Sequence, residues 1–205
     1  MKDPNIRSLL KKTELQSYIA DYPNSRIIEE MKLPLAKARI DIAVVNGHLH
    51  GYEIKSASDT LQRLPSQVAA YSKIFDYWTA VTELKYHHKL NDILPEWVGI
   101  AVCSDKDTDE EYEIIRPPMR NEGKDDFYVA KLLWVSELHE LLKEQNIPFK
   151  KSERSWTLYQ RLAACLKTDL LSALVREKIK RRKKIEIKED CTVKQYGGSG
   201  LFEPM

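Results

Sequence analysis

Apolar positions recur at helical spacing from the start of the chain to about Ile19. Asp3 precedes Pro4 at the beginning of this pattern, and a capping acid followed by proline in the first turn is typical of a helix N-terminus. Pro23 and the polar residues after it end the pattern. The sequence therefore predicts that the fold opens with a helix.

The pattern then changes to two runs that favour β-strands, 39–45 and 48–55, on either side of Asn46 and Gly47. Such runs around an Asn-Gly pair predict a β-hairpin. The later patterns predict a helix from Pro65 to about Tyr77, strands at 79–82, 97–103 and 112–116, and helices beyond Leu132, with one long helix from Ser155 into a basic run.

Together these elements predict an α/β core whose mixed sheet of four or five strands has helices on its flanks. We expect this core over residues 1–131 and a helical C-terminal region over 132–190. Residues 191–205 include Gly197–Gly200, whose composition is typical of a flexible tail.

Composition narrows the class of protein. The chain has 205 residues, of which 42% are apolar, enough for a single core. It has no apolar run near the roughly 20 residues of a membrane span, and its start lacks the apolar stretch of a secretory signal. We therefore expect a cytoplasmic protein without membrane contact. Three widely spaced cysteines indicate neither a disulfide framework nor a structural zinc site.

Charge is segregated along the chain although the net charge is only +2. The run 176–188 holds eight basic and two acidic residues. A basic run of this kind attracts phosphates, and it is equally compatible with a solvated helix end. The nucleic-acid contacts that we expect from it are Arg181, Arg182, Lys183 and Lys184. The absence of a glycine-rich phosphate loop argues against an ATPase.

Two acids, Asp41 and Glu53, stand in hairpin strands that are otherwise rich in Ile, Val and Tyr. Paired residues of a hairpin have a constant sum, which for these two is 94 and centres the loop on residue 47. A three-residue loop with a left-handed Gly47 satisfies this condition. A two-residue loop would place the two acids on opposite faces of the sheet.

With the three-residue loop, Asp41 and Glu53 share one face with Lys55, while Ile40 and Ile42 lie on the other face. Opposed carboxylates repel each other unless a cation lies between them. Mg²⁺ prefers oxygen ligands, so Asp41, Glu53 and the backbone carbonyl of Ile54 form a candidate metal site, with Mn²⁺ as an alternative ion. The Lys55 ammonium can then assist an attacking water. The structural alternative is an ion pair of Asp41 with Lys55 or Arg39.

An acid ahead of a strand, then Asp41, then Glu53-x-Lys55, followed by Gln67-x-x-x-Tyr71 on a helix, resembles the PD-(D/E)XK nuclease superfamily and its RecB-like branch. Ile40 stands where the superfamily name has proline. The whole chain is also similar to a group of uncharacterised bacterial proteins of this size. The resemblance implies a restriction-endonuclease-like core, with Gln67 and Tyr71 beside the metal site in contact with DNA.

The resemblance also implies an early glutamate, for which both Glu29 and Glu30 are candidates. We favour Glu30 because of its distance from Asp41 along the chain. The histidines His48 and His50 alternate on a strand, and we expect surface imidazoles there rather than metal ligands.

The function expected from these residues is Mg²⁺-dependent hydrolysis of phosphodiester bonds, in DNA first, with RNA left open. In it Asp41, Glu53, Lys55 and Glu30 form the catalytic group. The alternative is a catalytically inactive module that binds nucleic acid or a partner on the same fold. Oligomeric state and substrate form stay undetermined at this stage.

Overall fold

The computed structural model describes residues 3–22, 24–35, 38–56, 61–106 and 109–182. Its strands are β1 (Arg26–Lys32), β2 (Arg39–Val45), β3 (Leu49–Lys55), β4 (Tyr77–Glu83), β5 (Gly99–Lys106) and β6 (Asp109–Arg116). Its helices are α1 (Asp3–Lys12), α2 (Glu14–Asp21), α3 (Leu64–Tyr71), α4 (His87–Ile93), α5 (Asp126–Ala130), α6 (Val135–Glu144), α7 (Ser155–Cys165) and α8 (Thr168–Arg181). Short 3₁₀ turns at Leu61–Arg63 and Leu84–Tyr86 precede α3 and α4.

The strands form one sheet in the order β1-β2-β3-β4-β5-β6. Pairing is antiparallel from β1 through β3, parallel from β3 through β5, and antiparallel again at β6. The expectation of an α/β protein with a mixed sheet and flanking helices is confirmed. The sheet has one strand more than the four or five expected. The added strand is β1, whose apolar and charged residues do not alternate strictly.

Helices cover both faces of the sheet. One face packs under α3 and the helices α5 to α8, and this core includes Ala43, Tyr71, Leu138, Leu158 and Val175. The other face packs against α1 and α2 through residues such as Ile6 and Leu15. The described part of the predicted C-terminal helical region thus shares its core with the sheet. Residues 183–205, including the expected tail, lie outside the described residues.

Three predicted helices differ from the observed ones in length. The opening helix is broken at Thr13, whose hydroxyl donates to the Leu9 carbonyl at 2.8 Å, so it forms both α1 and α2. The helix expected to reach Tyr77 ends at Tyr71, because the chain must turn there to enter β4. The long helix from Ser155 is interrupted between α7 and α8, where the backbone at Leu166 and Lys167 is extended.

The loop of the β2–β3 hairpin has an odd number of residues, as the predicted pairing of Asp41 with Glu53 requires. Val45 pairs with Leu49 and Ile42 with Tyr52, so residues 46–48 form the loop and the sum is 94. The prediction of a left-handed glycine there is wrong, since no glycine in the described ranges has a positive φ. Instead, the Asn46 side chain accepts a hydrogen bond from the His48 amide at 2.8 Å and closes the turn.

No helix in the part of the chain that the structure describes is both long enough and apolar enough to cross a membrane.

Candidate functional site

Glu53 lies at the centre of a buried hydrogen-bond cluster. The Lys55 ammonium approaches its Oε1 at 2.8 Å, and the Gln67 amide nitrogen donates to the same oxygen. The Tyr71 hydroxyl donates to Oε2 at 2.9 Å. Glu53 is only 4% exposed. A carboxylate so far from water is stable only with donors of this kind around it, and these three come from two elements.

The secondary structure explains why these four side chains meet. Glu53 and Lys55 are two residues apart on β3 and therefore project from the same face. Gln67 and Tyr71 are one turn apart on α3, with the amide nitrogen 3.3 Å from the hydroxyl. The helix packs on that face of the sheet and brings both pairs together. The expectation that Gln67 and Tyr71 share a helix face is confirmed.

Asp41 closes the end of the β2–β3 ladder. The last paired residues before it are Ile42 and Tyr52, and at the next step the Ile54 amide donates to Asp41 Oδ2 at 2.7 Å. The guanidinium of Arg7, on α1, lies 3.4 Å from Oδ1. Burial, followed by repulsion from the Glu53 charge, raises the pKa of Asp41 to about 6. The Ile54 amide and the Arg7 charge act in the opposite direction and lower this pKa. The two carboxylates therefore act on each other electrostatically.

The side-chain alternation of β2 breaks at Asp41. The expectation that Ile40 and Ile42 share a face is wrong, because Ile40 packs with Met31 under α3 whereas Ile42 packs against α1. On β1 the same step of the ladder is Glu30, which has a φ of 54° and lies between residues that pair with Ile42 and Ile40. A left-handed residue turns the side chains that follow it on its own strand, and Ile28 and Met31 of β1 accordingly pack in the same core, so both strands depart from regular alternation at this step.

Both candidates for the early glutamate are held by basic side chains. Glu30 is held by Arg7 at 3.0 Å and by the Arg39 guanidinium at 2.6 Å. Glu29 is held by Lys11 at 2.7 Å. The expected alternative is an ion pair of Asp41 with Lys55 or Arg39. The structure shows neither pair, because Arg39 pairs with Glu30 and Lys55 pairs with Glu53. Arg7 joins Glu30 to Asp41, a contact that nothing in the local sequence signals.

Asp41 and Glu53 line one cavity of about 620 Å³. Its other lining residues include Gln67 and the basic residues Lys32, Arg39 and Arg63. The side-chain oxygen of Gln67 is buried there without a hydrogen-bond partner in the structure. Basic residues around a pair of acids suit an anionic ligand that reaches the acids.

The described residues contain no group of three or more His, Cys, Asp or Glu side chains placed to hold a metal ion. The carboxylates that line the cavity are Asp41 and Glu53, and Ile54 stands between Glu53 and Lys55 on β3. The metal set of Asp41, Glu53 and Ile54 stays a prediction.

The expected nucleic-acid contacts at the C-terminal end lie in different surroundings. Arg181 is exposed at the end of α8. Arg182 is half-buried, and its guanidinium makes two bonds to Glu137, at 2.8 and 2.6 Å. Lys183 and Lys184 lie outside the described residues.

His50 is buried, contrary to the expectation of a surface imidazole. Its Nε2 lies 2.9 Å from the Thr79 hydroxyl, and its Nδ1 lies 3.3 Å from the hydroxyls of Tyr18 and Tyr52. Burial lowers the pKa of His50 to about 3, so the ring is neutral. These contacts belong to the face of the sheet under α1 and α2, which periodicity alone did not predict as polar.

Comparisons with known proteins place the chain in a family. The family described as bacteriophage P4 protein cII matches residues 3–196. The chain is similar to protein cII of Enterobacteria phage P4, with 29% identity over 126 residues that cover 62% of this chain and 48% of the phage protein. The match thus spans about half the length of that relative.

Among solved structures, the chain is similar to a protein of unknown function from Silicibacter pomeroyi. The TM-score is 0.40 at 16% identity, over 68% of this chain and 92% of the other. The family match covers nearly the whole sequence. The chain belongs to the bacteriophage P4 protein cII family.

Proposed function

We propose that this protein is a metal-dependent nuclease that hydrolyses phosphodiester bonds, in DNA first, on a restriction-endonuclease-like core of the PD-(D/E)XK type. One observation carries the proposal. Glu53, which lines the same cavity as Asp41, accepts hydrogen bonds from Lys55, Gln67 and Tyr71. The order of antiparallel and parallel strands around β3, with α3 between β3 and β4, supports the choice of core.

The residues at the cavity fit a hard divalent cation. Asp41, Glu53 and the Ile54 carbonyl would hold Mg²⁺, or Mn²⁺ in its place, because these ions prefer oxygen donors. Burial, and after it the charge of Glu53, raises the pKa of Asp41, and a cation would compensate the negative charge of the two acids. When bound, such an ion stabilises the negative charge that develops on the phosphoryl oxygens.

Lys55 is the residue that we assign to the attacking water. Its ammonium is 7% exposed and is held at 2.8 Å from Glu53, at the end of β3. A fixed ammonium can orient a water and balance charge on the phosphate in the transition state. Arg39 and Arg63 at the cavity would contact neighbouring phosphates.

Gln67 and Tyr71 divide their roles in this proposal. Tyr71 is fully buried, and its hydroxyl donates to Glu53 and lies 2.9 Å from the Arg39 carbonyl, so it positions the acid rather than touching a strand. Gln67 lines the cavity and has an unpartnered oxygen, so it can position Glu53 and also accept a bond from the substrate.

The test is incubation of the purified full chain with end-labelled single-stranded DNA, duplex DNA and RNA, in Mg²⁺, Mn²⁺ or EDTA. We expect cleavage with a metal and none in EDTA. Lys55→Ala and Asp41→Asn should each lower the rate by at least about a hundredfold. Lys85→Ala is the matched control, because Lys85 also pairs with a glutamate but is 65% exposed. Equal cleavage by wild type and Lys55→Ala would reject the proposal.

A second candidate is an inactive binding module on the same fold. The observation that favours it is that the acids already have protein donors: Glu53 has three, and Asp41 has Ile54 and Arg7. Carboxylates satisfied in this way are stable without a metal. Nucleic-acid binding without cleavage in either metal, together with an unchanged thermal midpoint on addition of metal, would select this candidate.

A further inference from the structure

The cavity of the candidate site continues into a trench along the edge of the sheet. A depression of about 540 Å³ adjoins it and shares Lys32 and Leu33 with it. A third depression, of about 460 Å³, adjoins the second and shares Trp134 and Arg182 with it. We call these three depressions the trench. It leads from Asp41 and Glu53 to the end of α8, which lies within the basic run 176–188.

The middle of the trench has an apolar floor and basic sides. Apolar residues of β1 and of the segment after α5 form the floor. Four basic side chains line this part, against two glutamates; they are Arg26, Lys32, Lys131 and Arg182. The glutamates, Glu29 and Glu30, are paired with cations that lie outside this depression. Glu137 compensates the charge of Arg182, so Arg26, Lys32 and Lys131 give this depression its positive charge, which favours a polyanion.

Trp134 is the large aromatic side chain in the trench, and its indole is 48% exposed. Its position is fixed from one side. The Arg182 guanidinium lies 4.5 Å from the ring centroid, and Glu137 binds both that guanidinium and the Trp134 backbone amide, the latter at 2.7 Å. A rigid, half-exposed indole between basic side chains is a surface on which an unpaired base stacks.

We infer that the trench binds a single, unpaired nucleic-acid strand, with a base stacked on Trp134 and phosphates along Lys32 and Lys131, and delivers it to Asp41 and Glu53. This rests on the proposed function, whose substrate form it specifies. A duplex hides the faces of its bases, so it would leave the indole and the apolar floor without partners. Unpaired strands offer both base faces and phosphates, which match the floor and the sides.

The experiment is fluorescence anisotropy with labelled dT20, labelled rU20 and a labelled 20-base-pair DNA duplex, using the full chain in EDTA. EDTA separates binding from hydrolysis. We expect a single strand to bind at least about tenfold more tightly than the duplex. Tight binding of dT20 or rU20 supports the inference, and the ratio between them shows which sugar the trench prefers. Equal or tighter binding of the duplex overturns it.

Three aromatic variants locate the strand. Trp134→Ala should weaken binding of the single strand by about tenfold, the usual effect of removing one stacking side chain. Trp134→Phe, which keeps an aromatic ring, should stay within about threefold of wild type. Tyr22→Ala is the matched control, since Tyr22 is 54% exposed but does not line the trench. Unchanged affinity in folded Trp134→Ala overturns the inference.

Lys32→Gln tests the trench without touching the Trp134 cluster. It should lower the slope of log affinity against log salt by about one, as loss of one phosphate contact does. Lys85→Gln should leave the slope unchanged, and an unchanged slope in Lys32→Gln overturns the inference. Wild type that binds dT20 but cleaves nothing would reject the nuclease and keep the trench. If wild type cleaves duplex DNA and binds it more tightly than single strands, the nuclease is kept and the trench is rejected.

Discussion

The Tyr71 hydroxyl donates a hydrogen bond to Glu53 Oε2 at 2.9 Å and lies 2.9 Å from the Arg39 carbonyl. Burial raises the pKa of Tyr71, and the negative charge of Glu53 raises it further because it disfavours a phenolate. The phenol therefore remains a donor at every pH of interest. This one bond fixes the acid of β3 to the helix that follows it. It also connects the fold to the chemistry, because the orientation of Glu53 depends on how α3 packs.

Removal of that hydroxyl should cost stability. Tyr71→Phe leaves a buried carboxylate short of one donor, and we expect a loss of about 2 kcal/mol in the free energy of unfolding, measured by urea denaturation. The matched control is Tyr159→Phe, which removes a buried bond of 2.8 Å to the neutral Leu133 carbonyl and should cost about 1 kcal/mol. A smaller loss for Tyr71→Phe than for Tyr159→Phe would contradict the role given to Glu53.

Part of this cluster was predictable because its contacts are local. Asp41 and Glu53 belong to one hairpin, and the sum of their numbers determines the loop length that allows them to meet. Gln67 and Tyr71 are separated by one helical turn, so their common face follows from helix geometry. The sum of the residue numbers requires a three-residue loop but not a left-handed glycine. The Asn46 side chain closes the loop instead.

Other contacts depend on packing between distant segments, which periodicity does not encode. Arg7 reaches Glu30 and Asp41 only because α1 lies across that face of the sheet. The change of face at Asp41 stands opposite the left-handed backbone of Glu30 on the neighbouring strand. A charged run also does not reveal its partners: Arg182 counts as a basic residue in the sequence, yet its guanidinium is bonded to Glu137.

Magnesium should stabilise the folded chain if Asp41 and Glu53 hold it. At 100 times its dissociation constant, an ion that binds only the folded state adds about 2.7 kcal/mol to the free energy of unfolding. Asp41→Asn should abolish this gain. In EDTA the same variant should be at least as stable as wild type, because it removes a charge that Glu53 repels.

Asp92→Asn is the control for that experiment, since Asp92 is an exposed acid on α4 and does not line the cavity. It should keep the full response to magnesium. An equal response in wild type and Asp41→Asn, read from urea curves at fixed pH, would show that the ion binds elsewhere.

His50 should make the protein less stable in acid. Its pKa is about 3 in the folded state and about 6.5 when unfolded, so the unfolded chain binds the proton first as the pH falls. The contribution of the neutral ring is complete above pH 6.5 and is lost as the pH falls toward 3. Between pH 7 and 4.5 this loss amounts to between about 2 and 3 kcal/mol.

Urea denaturation at the two pH values tests this with His50→Gln, which cannot titrate. The variant should lose less stability than wild type over this interval, by the amount given above. His88→Gln, which changes an exposed histidine on α4, should behave as wild type. If His50→Gln and wild type lose equal stability, the buried ring is not the group that titrates.

Asp76 holds together the start of β4, the segment before α5 and α8. Its carboxylate accepts from the Leu49 amide at 2.7 Å, lies 3.4 Å from the Arg176 guanidinium, and bonds to the Lys124 ammonium. Asp76 and Lys124 are both buried. Asp76→Asn removes the negative charge and leaves a buried ammonium without compensation, which should cost about 3 to 5 kcal/mol.

The corresponding change in a surface ion pair should cost far less stability. Asp169 pairs with Arg120 at 3.2 Å but is 87% exposed, so Asp169→Asn should cost less than about 1 kcal/mol by urea denaturation. Lys124→Met added to Asp76→Asn should restore part of the lost stability, because the uncompensated charge is then gone. A double variant less stable than Asp76→Asn alone would mean that Lys124 stabilises the fold through contacts other than its charge.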